Sequence, residues 1–211
     1  MAGCLRRSPV SFKARALKTE KREGWLVVLE YEDEAGGPWL IDLSHRPKFD
    51  IQDAKIDEIK PWGITIPQIP GHSVFEKGML VNRMNRTQVS VWHLGGHAHE
   101  VPAIAGLTDV TDAVLMLALV GEWTFSILEK LSDMDLLDPR KTPPFLIQGP
   151  LCRVPCQIVV LRRSSDRSAV LWTCARGYAQ DMVHAVMKAG EEHGIRAGGE
   201  NLLSSFTQSV A

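Results

Sequence analysis

The stretch from Asp112 to Leu131, DAVLMLALVGEWTFSILEKL, carries the clearest fold signals in the chain. Its first part is an unbroken apolar run, which predicts a strand that ends at Val120 and turns at Gly121. The remainder predicts an amphipathic helix, because apolar side chains recur at i, i+3, i+4 and i+7. These positions are Thr124, Ile127, Leu128 and Leu131.

The segments that follow continue this pattern. Three strands and a second helix are predicted, the helix with a C-terminal cap at Gly190. Their ranges are Phe145–Arg153, Cys156–Leu161, Ala169–Thr173 and Gly177–Ala189. A closing strand is predicted near Leu202–Phe206. Strand, helix, strands, helix and closing strand is the split βαβ order of a ferredoxin-like lobe, so the predicted fold class is α+β.

The first half of the chain predicts shorter elements. Trp25–Tyr31 and Trp39–Leu43 are separated by an acidic Gly/Pro turn and are interpreted as a hairpin. Further strands are expected at Phe49–Ile51 and Val89–Leu94. We therefore expect two interlocked lobes with a nominal boundary: residues 1–107, with a basic arm from Arg6 to Lys18, and residues 108–211.

Composition excludes several classes of function. The 211 residues are 45% hydrophobic and carry 24 Lys and Arg against 25 Asp and Glu, for a net charge of -1. A chain so balanced is not expected to have nucleic acid or an anionic membrane as its main partner. Its longest apolar run, Ala113–Val120, is far shorter than the roughly 20 residues that cross a bilayer. The four cysteines have neither disulfide-framework nor zinc-site spacing, which favours a reducing, cytoplasmic setting.

One loop concentrates potential metal ligands. His93, His97, His99 and Glu100 lie within eight residues of each other, and an extended chain points His97 and His99 to the same side. The glycines between them indicate a flexible loop, however, and no second group of ligands is evident elsewhere. A polar loop at a subunit contact is the favoured interpretation, and no metal site is predicted.

Several segments together resemble the aminomethyltransferase superfamily, which includes the glycine-cleavage T-protein and the gamma subunit of heterotetrameric sarcosine oxidase. The likeness lies in IDLSHRPKF at 41–49, LMLALVG at 115–121 with ILEKLS at 127–132, and AGEEHGIRAGG at 189–199. The opening RSPV at 7–10 is similar to the start of gamma subunits. The resemblance covers most of the chain and implies the folate-binding fold of the T-protein.

The departures from this family concern its chemistry. The resemblance places the folate-contacting carboxylate just before the strand at 89–94, where this chain has Thr87 and Gln88, and neither can ionise near neutral pH. The family's glutamate turn falls near Arg163 and Asp166. The resemblance therefore implies a tetrahydrofolate pocket at Thr87, Gln88, Trp92, Arg163 and Asp166, with no catalytic residue.

Three functions remain as hypotheses. The first is a non-catalytic or assisting subunit that docks on a larger flavin- and folate-dependent chain in an amine-demethylating complex. The alternative is a stand-alone tetrahydrofolate-dependent C1 transferase or folate-binding protein, which would need a replacement carboxylate such as Asp42, Asp50 or Asp109. The third, a metal-dependent enzyme using His93, His97 and His99, is the least favoured of the three.

Overall fold

The computed structural model of the protein describes residues 6–95 and 100–207. Most of the regular structure in these ranges is β-sheet. The strands are β1 Ala16–Arg22, β2 Trp25–Tyr31, β3 Trp39–Asp42, β4 Lys48–Gln52, β5 Ser73–Glu76, β6 Met79–Arg83, β7 Gln88–His93, β8 Leu107–Asp109, β9 Val114–Gly121, β10 Phe145–Leu151, β11 Val154–Arg162, β12 Ser168–Ala175 and β13 Arg196–Gly198. The helices are α1 Thr124–Glu129, α2 Ala179–Gly190 and α3 Asn201–Thr207. This mixed α+β composition agrees with the predicted fold class.

The strands form three sheets. The largest has six strands in the order β10-β11-β12-β9-β3-β13, and β13 runs parallel to β3 whereas the other neighbours are antiparallel. The second has five antiparallel strands in the order β5-β6-β7-β4-β8. The third is the isolated hairpin of β1 and β2. Strand β3 thus joins the sheet built mainly by the second half of the chain.

Strand β9 is apolar throughout because both of its faces are covered. Leu115, Leu117 and Leu119 point into the core that the six-stranded sheet forms with α1 and α2. Met116 and Ala118 face the opposite way, into the core between the two large sheets. Alternate side chains of a strand lie on opposite faces, so a strand buried on both faces needs apolar residues at every position. The predicted strand and the helix after it are confirmed.

Two predicted elements are wrong. β2 does not form a hairpin with β3, because it pairs with β1, while β3 lies between β9 and β13. The segment at 202–206 is helix α3 rather than a closing strand. Its buried residues Leu203 and Phe206 are three positions apart, the spacing of one helical face. The strand that closes the large sheet is β13, Arg196–Gly198, which precedes the predicted segment in the chain.

The end of α2 also differs from the prediction. The helix includes Gly190 and continues into a short 3-10 turn, Glu191–His193. The left-handed residue that ends the helical segment is Gly194, with φ 68°. A Cβ at Gly190 would lie 2.7 Å from the Ile195 side chain, so this glycine is needed for close packing rather than as a cap.

No helix in the two described ranges is long and apolar enough to cross a membrane. The division of the chain at residue 107 stays a prediction.

Candidate functional site

The polar centre of the molecule lies where β3 and β13 end. These strands are parallel, and Gly198 stands opposite Ile41, so the residues that follow each strand meet at one edge of the sheet. Asp42 is the last residue of β3, and Glu200 follows two residues after β13. Ligand sites in open sheets commonly lie at the carboxyl ends of parallel strands. This edge of the sheet is therefore the candidate functional site.

Glu200 is a buried carboxylate surrounded by positive groups. It is 5% exposed. Its Oε1 lies 2.7 Å from His45 Nε2 and 2.6 Å from Arg46 NH2, and its Oε2 lies 2.5 Å from Arg22 NH1. Burial by itself would raise the pKa of Glu200, but the His45 hydrogen bond and the charges of Arg46 and Arg22 lower it to about 2. A carboxylate held this firmly in its ionised form is a poor general base.

Asp42 is also occupied by hydrogen bonds. Its Oδ1 accepts from the backbone N–H of Ser44 at 2.9 Å and from the Ser44 hydroxyl at 2.6 Å. Its Oδ2 accepts from the Ser8 hydroxyl at 2.5 Å. Asp42 thus anchors the N-terminal arm to the end of β3 and shapes the turn that carries His45 and Arg46. This is the role of a structural acceptor.

Lys48 supports the same turn from inside. Its side chain is 1% exposed, and its Nζ donates to the carbonyl oxygens of Ser44 at 2.8 Å and Arg46 at 2.7 Å. Burial lowers the pKa of Lys48 to about 7, against the attraction of carboxylates that include Asp42 and Asp109. Lys48 therefore holds the backbone from which His45 and Arg46 reach Glu200.

We expect the free energy of unfolding of the wild-type protein to rise with pH between about pH 7 and pH 10, and we expect Lys48→Met to lack this rise. In this window the unfolded lysine binds a proton that the folded one does not, so unfolding takes up a proton and a higher pH opposes it. The slope approaches about 1.4 kcal/mol per pH unit. Denaturant unfolding at several pH values measures it. The exposed Lys55→Met is the control and keeps the wild-type slope; an unchanged slope in Lys48→Met would contradict the assignment.

A cavity of about 620 Å³ opens beside this centre, between the N-terminal arm, β2 and the ends of β3 and β13. Its walls combine apolar and aromatic residues such as Phe12, Trp25 and Tyr31 with Asp42 and His45. Burial, with the charges of Asp42 and Glu34, raises the pKa of Tyr31, so its hydroxyl stays protonated. The Phe12 and Tyr31 rings meet edge to face, with centroids 5.8 Å apart. The cavity is large enough for a ligand or for an inserted side chain.

A smaller cavity of about 120 Å³ lies on the other side of His45 and is also lined by His93. His93 is buried at the end of β7. His97 and His99, which were considered as metal ligands, lie outside the described residues. Within the described ranges, no group of three or more His, Cys, Asp or Glu side chains is arranged to hold a metal ion.

The residues that the resemblance assigned to a cofactor pocket lie in two places. Thr87 and Gln88 are at the turn into β7, where Thr87 N–H donates to Asn85 Oδ1 at 2.9 Å and Gln88 Nε2 donates to Asp50 Oδ1 at 2.7 Å. Trp92 lies further along β7 and is buried between the two large sheets. β7 therefore carries Gln88 and Trp92, and Thr87 directly precedes it, but Trp92 is part of the core.

Arg163 and Asp166 belong to the turn between β11 and β12. The Arg163 guanidinium donates to the carbonyl oxygens of Leu137, Asp138 and Lys141 at 2.9 to 3.0 Å, which fastens this turn to the preceding loop. Asp166 is exposed and lies close to the Ser164 hydroxyl. Within the described ranges, no hydrogen bond joins Arg163 or Asp166 to Thr87, Gln88 or Trp92, and none of these five lines either cavity.

Sequence reasoning did not single out the ion cluster. His45 and Arg46 were noted as part of a family motif, but Arg22 and Glu200 carried no signal of their own. Arg22 and Glu200 are 178 residues apart in the chain, and the folding of β2 against the end of β13 brings them together.

Comparison with known proteins gives a likeness in structure but none in sequence. No protein-family model matches the chain, and no curated protein matches it. Among solved structures, a chain of the heterotetrameric sarcosine oxidase from Corynebacterium sp. U-96, determined in complex with pyrrole 2-carboxylate, is similar with a TM-score of 0.56. The identity is 13%, and the match covers 74% of this chain and 85% of that chain. This protein therefore shares its fold with a chain of a heterotetrameric sarcosine oxidase.

Proposed function

We propose that this protein is a non-catalytic or assisting subunit of a sarcosine-oxidase-like complex that demethylates a secondary amine and is linked to folate. The observation that carries the proposal is the shared fold, which extends over 85% of the sarcosine oxidase chain. The residues at the polar centre support an assisting role, because Glu200 and Asp42 are both occupied by hydrogen bonds and ion pairs within the chain. The larger partner would carry the flavin and perform the oxidation.

The proposal extends to the organisation of the chain. We take residues 1–107 and 108–211 as two interlocked lobes, and the second as ferredoxin-like. The strand order β11-β12-β9, with β13 beyond the inserted β3, supports this assignment. The complex is proposed to be cytoplasmic.

Isolation of the tagged chain at its natural level from the cells that produce it tests the subunit role. We expect a larger chain to be recovered with it in fixed stoichiometry and to show flavin absorption, which is bleached by an N-methylated amino acid in the absence of oxygen. The isolated chain alone should show neither flavin absorption nor a response to the amine. Recovery of this chain alone under gentle conditions would contradict the subunit role.

The alternative of a tetrahydrofolate-dependent transferase depends on Asp50. Asp50 lies 2.7 Å from Gln88 and could supply the carboxylate that Thr87 and Gln88 lack. However, Asp50 Oδ1 accepts from Gln88 and Oδ2 accepts from Gln52 at 2.6 Å, so both oxygens are engaged. This arrangement favours a structural role for Asp50.

Calorimetric titration of the isolated chain with tetrahydrofolate and its 5,10-methylene form separates the two functions. Under reducing, anaerobic conditions we expect no micromolar binding and no transfer to an amine or thiol, because both oxygens of Asp50, the carboxylate beside Gln88, are engaged by Gln52 and Gln88. Micromolar binding with transfer that Asp50→Asn abolishes and the half-buried Asp53→Asn retains would establish the alternative. The two variants remove one charge each from neighbouring positions.

A further inference from the structure

Strand β1 contributes almost nothing to the core. All its residues from Ala16 to Lys21 are exposed, and its hydrogen-bonded neighbour is β2 alone among the described strands. The inner face of β2 is buried through residues that include Trp25, Val27 and Leu29, whereas its outer face is left open. A two-stranded sheet with one uncovered strand is marginally stable in water. Such a hairpin gains stability when a partner covers it.

The open face of the hairpin joins apolar and basic side chains. Lys21 stands opposite Leu26, and Lys18 stands opposite Glu30, on the outer side of the sheet. Leu26 is 54% exposed and Leu17, near the end of β1, is 55% exposed. We call Leu17, Lys18, Lys21 and Leu26 the hairpin face. Exposed apolar patches that are rimmed by polar residues mark interaction sites.

The positive charge of the chain is concentrated at this end. The first 22 residues hold seven Lys and Arg and a single acid, Glu20, whereas the remaining 189 hold 17 basic and 24 acidic residues. Arg6, Arg15 and Arg22 form ion pairs with acids of the body. No carboxylate of residues 6–95 and 100–207 lies within ion-pair distance of Lys18 or Lys21. These two ammonium groups are available to an external acid.

The large cavity opens at the same place. Lys21 and Leu26 line it together with Arg7, and the rings of Phe12 and Tyr31 lie further along its wall. A cavity with aromatic walls beside a flat polar surface suits an apolar anchor residue of a docking partner, since binding energy in interfaces concentrates where such anchors are buried.

We propose that the hairpin face and the adjoining cavity bind an acidic segment of the larger subunit, with carboxylates at Lys18 and Lys21 and an apolar side chain in the cavity. This inference rests on the proposed subunit role and assigns the surface that performs it. The contact is made through side chains rather than by addition of a strand. Lysines and irregular register along β1 are features by which edge strands avoid such pairing.

A protein partner fits the charge distribution better than a polyanion does. The body beside the basic end has seven more acids than bases and would be repelled by a nucleic acid or an anionic bilayer. A protein can place its carboxylates locally against the two lysines and avoid the rest. Complementary charges of this kind steer association and determine its dependence on salt.

Charge reversal in the purified complex tests the proposal. The double variant Lys18→Glu/Lys21→Glu is compared with Lys55→Glu/Lys60→Glu, a control with the same change of charge at exposed lysines elsewhere. We expect the hairpin variant to hold the flavin-bearing chain at least about tenfold more weakly, and the control to hold it as the wild type does. Far-UV circular dichroism verifies that both variants fold. Carbodiimide treatment of the wild-type complex should join Lys18 or Lys21 to carboxylates of the flavin-bearing chain.

The outcomes separate the two proposals. If the wild type brings no flavin-bearing chain with it, the subunit role and the docking surface are both overturned. If wild type and hairpin variant retain it equally, the docking surface is wrong while the subunit role stands. Cross-links to a second copy of this chain would overturn it too. Binding of duplex DNA or phosphatidylserine vesicles that depends on Lys18 and Lys21 would likewise overturn the docking surface.

Discussion

The Glu200→Gln variant should unfold with a free energy about 3–5 kcal/mol lower than that of the wild type. The substitution removes the charge that compensates Arg46 and Arg22 and that accepts the His45 hydrogen bond, next to the end of β13. It also turns an amide N–H₂ towards groups that donate hydrogen bonds, so at least one contact becomes repulsive. Urea unfolding at neutral pH, followed by circular dichroism, measures the loss.

The control for this variant is Glu192→Gln. Glu192 is also ion-paired, with Lys130, but the pair lies at the surface, where solvent screens it, so its loss should cost far less than that of Glu200. The pH dependence gives a second criterion. Because the pKa of Glu200 is lowered to about 2 in the folded protein, its stabilisation is complete above the unfolded value of about 4.3 and is lost as the pH falls towards 2. The difference in the free energy of unfolding between the wild type and Glu200→Gln should therefore become smaller in acid. A difference that does not change with pH would contradict the ionised state of Glu200.

Gly199→Ala is expected to destabilise the protein by about 3 kcal/mol or to prevent folding. A Cβ at this position would lie 2.2 Å from the carbonyl oxygen of Leu29 and 2.5 Å from the backbone nitrogen of Glu30. These are backbone atoms of β2, which cannot withdraw without breaking the bond from Glu200 N–H to Val28 O at 3.0 Å. Thermal unfolding of the purified variant measures the effect.

Gly177→Ala serves as the matched control. No atom lies within 4 Å of a Cβ at Gly177, and its backbone is not left-handed. Its stability should stay within about 0.5 kcal/mol of the wild type. Equal losses in the two variants would mean that general loss of glycine flexibility, and not the close approach of β13 to β2, causes the effect.

Local patterns predicted most of the regular elements in the second half of the chain. The strand at β9, the helix α1 and the strands β10 to β12 follow from apolar runs and turn residues that lie next to each other in sequence. Strand β1 was missed because its mostly polar sequence, ALKTEKR, is exposed almost throughout, so it lacks the apolar signal that a strand usually has. The segment of α3 is predicted as a strand from the sequence because so short an apolar stretch fits both the two-residue repeat of a strand and the 3.6-residue repeat of a helix.

The candidate site was less accessible to sequence reasoning. The family resemblance directed attention to Thr87, Gln88, Trp92, Arg163 and Asp166, and their assignment to a cofactor pocket stays a prediction. The polar centre of the molecule consists instead of Glu200 with His45, Arg46 and Arg22. Buried charges need partners, but a sequence does not reveal which distant residues supply them.

By itself, the sequence of this protein determined the α+β class, the apolar strand β9 and the basic character of the first 22 residues, because each depends on neighbouring residues. Only the tertiary structure decided that β3 lies between β9 and β13, that β2 pairs with β1, and that Glu200 meets Arg22. Strand partners and ion pairs are chosen by the packing of segments far apart in the chain. Many alternative pairings satisfy the same local pattern, and burial of the complete core selects one of them.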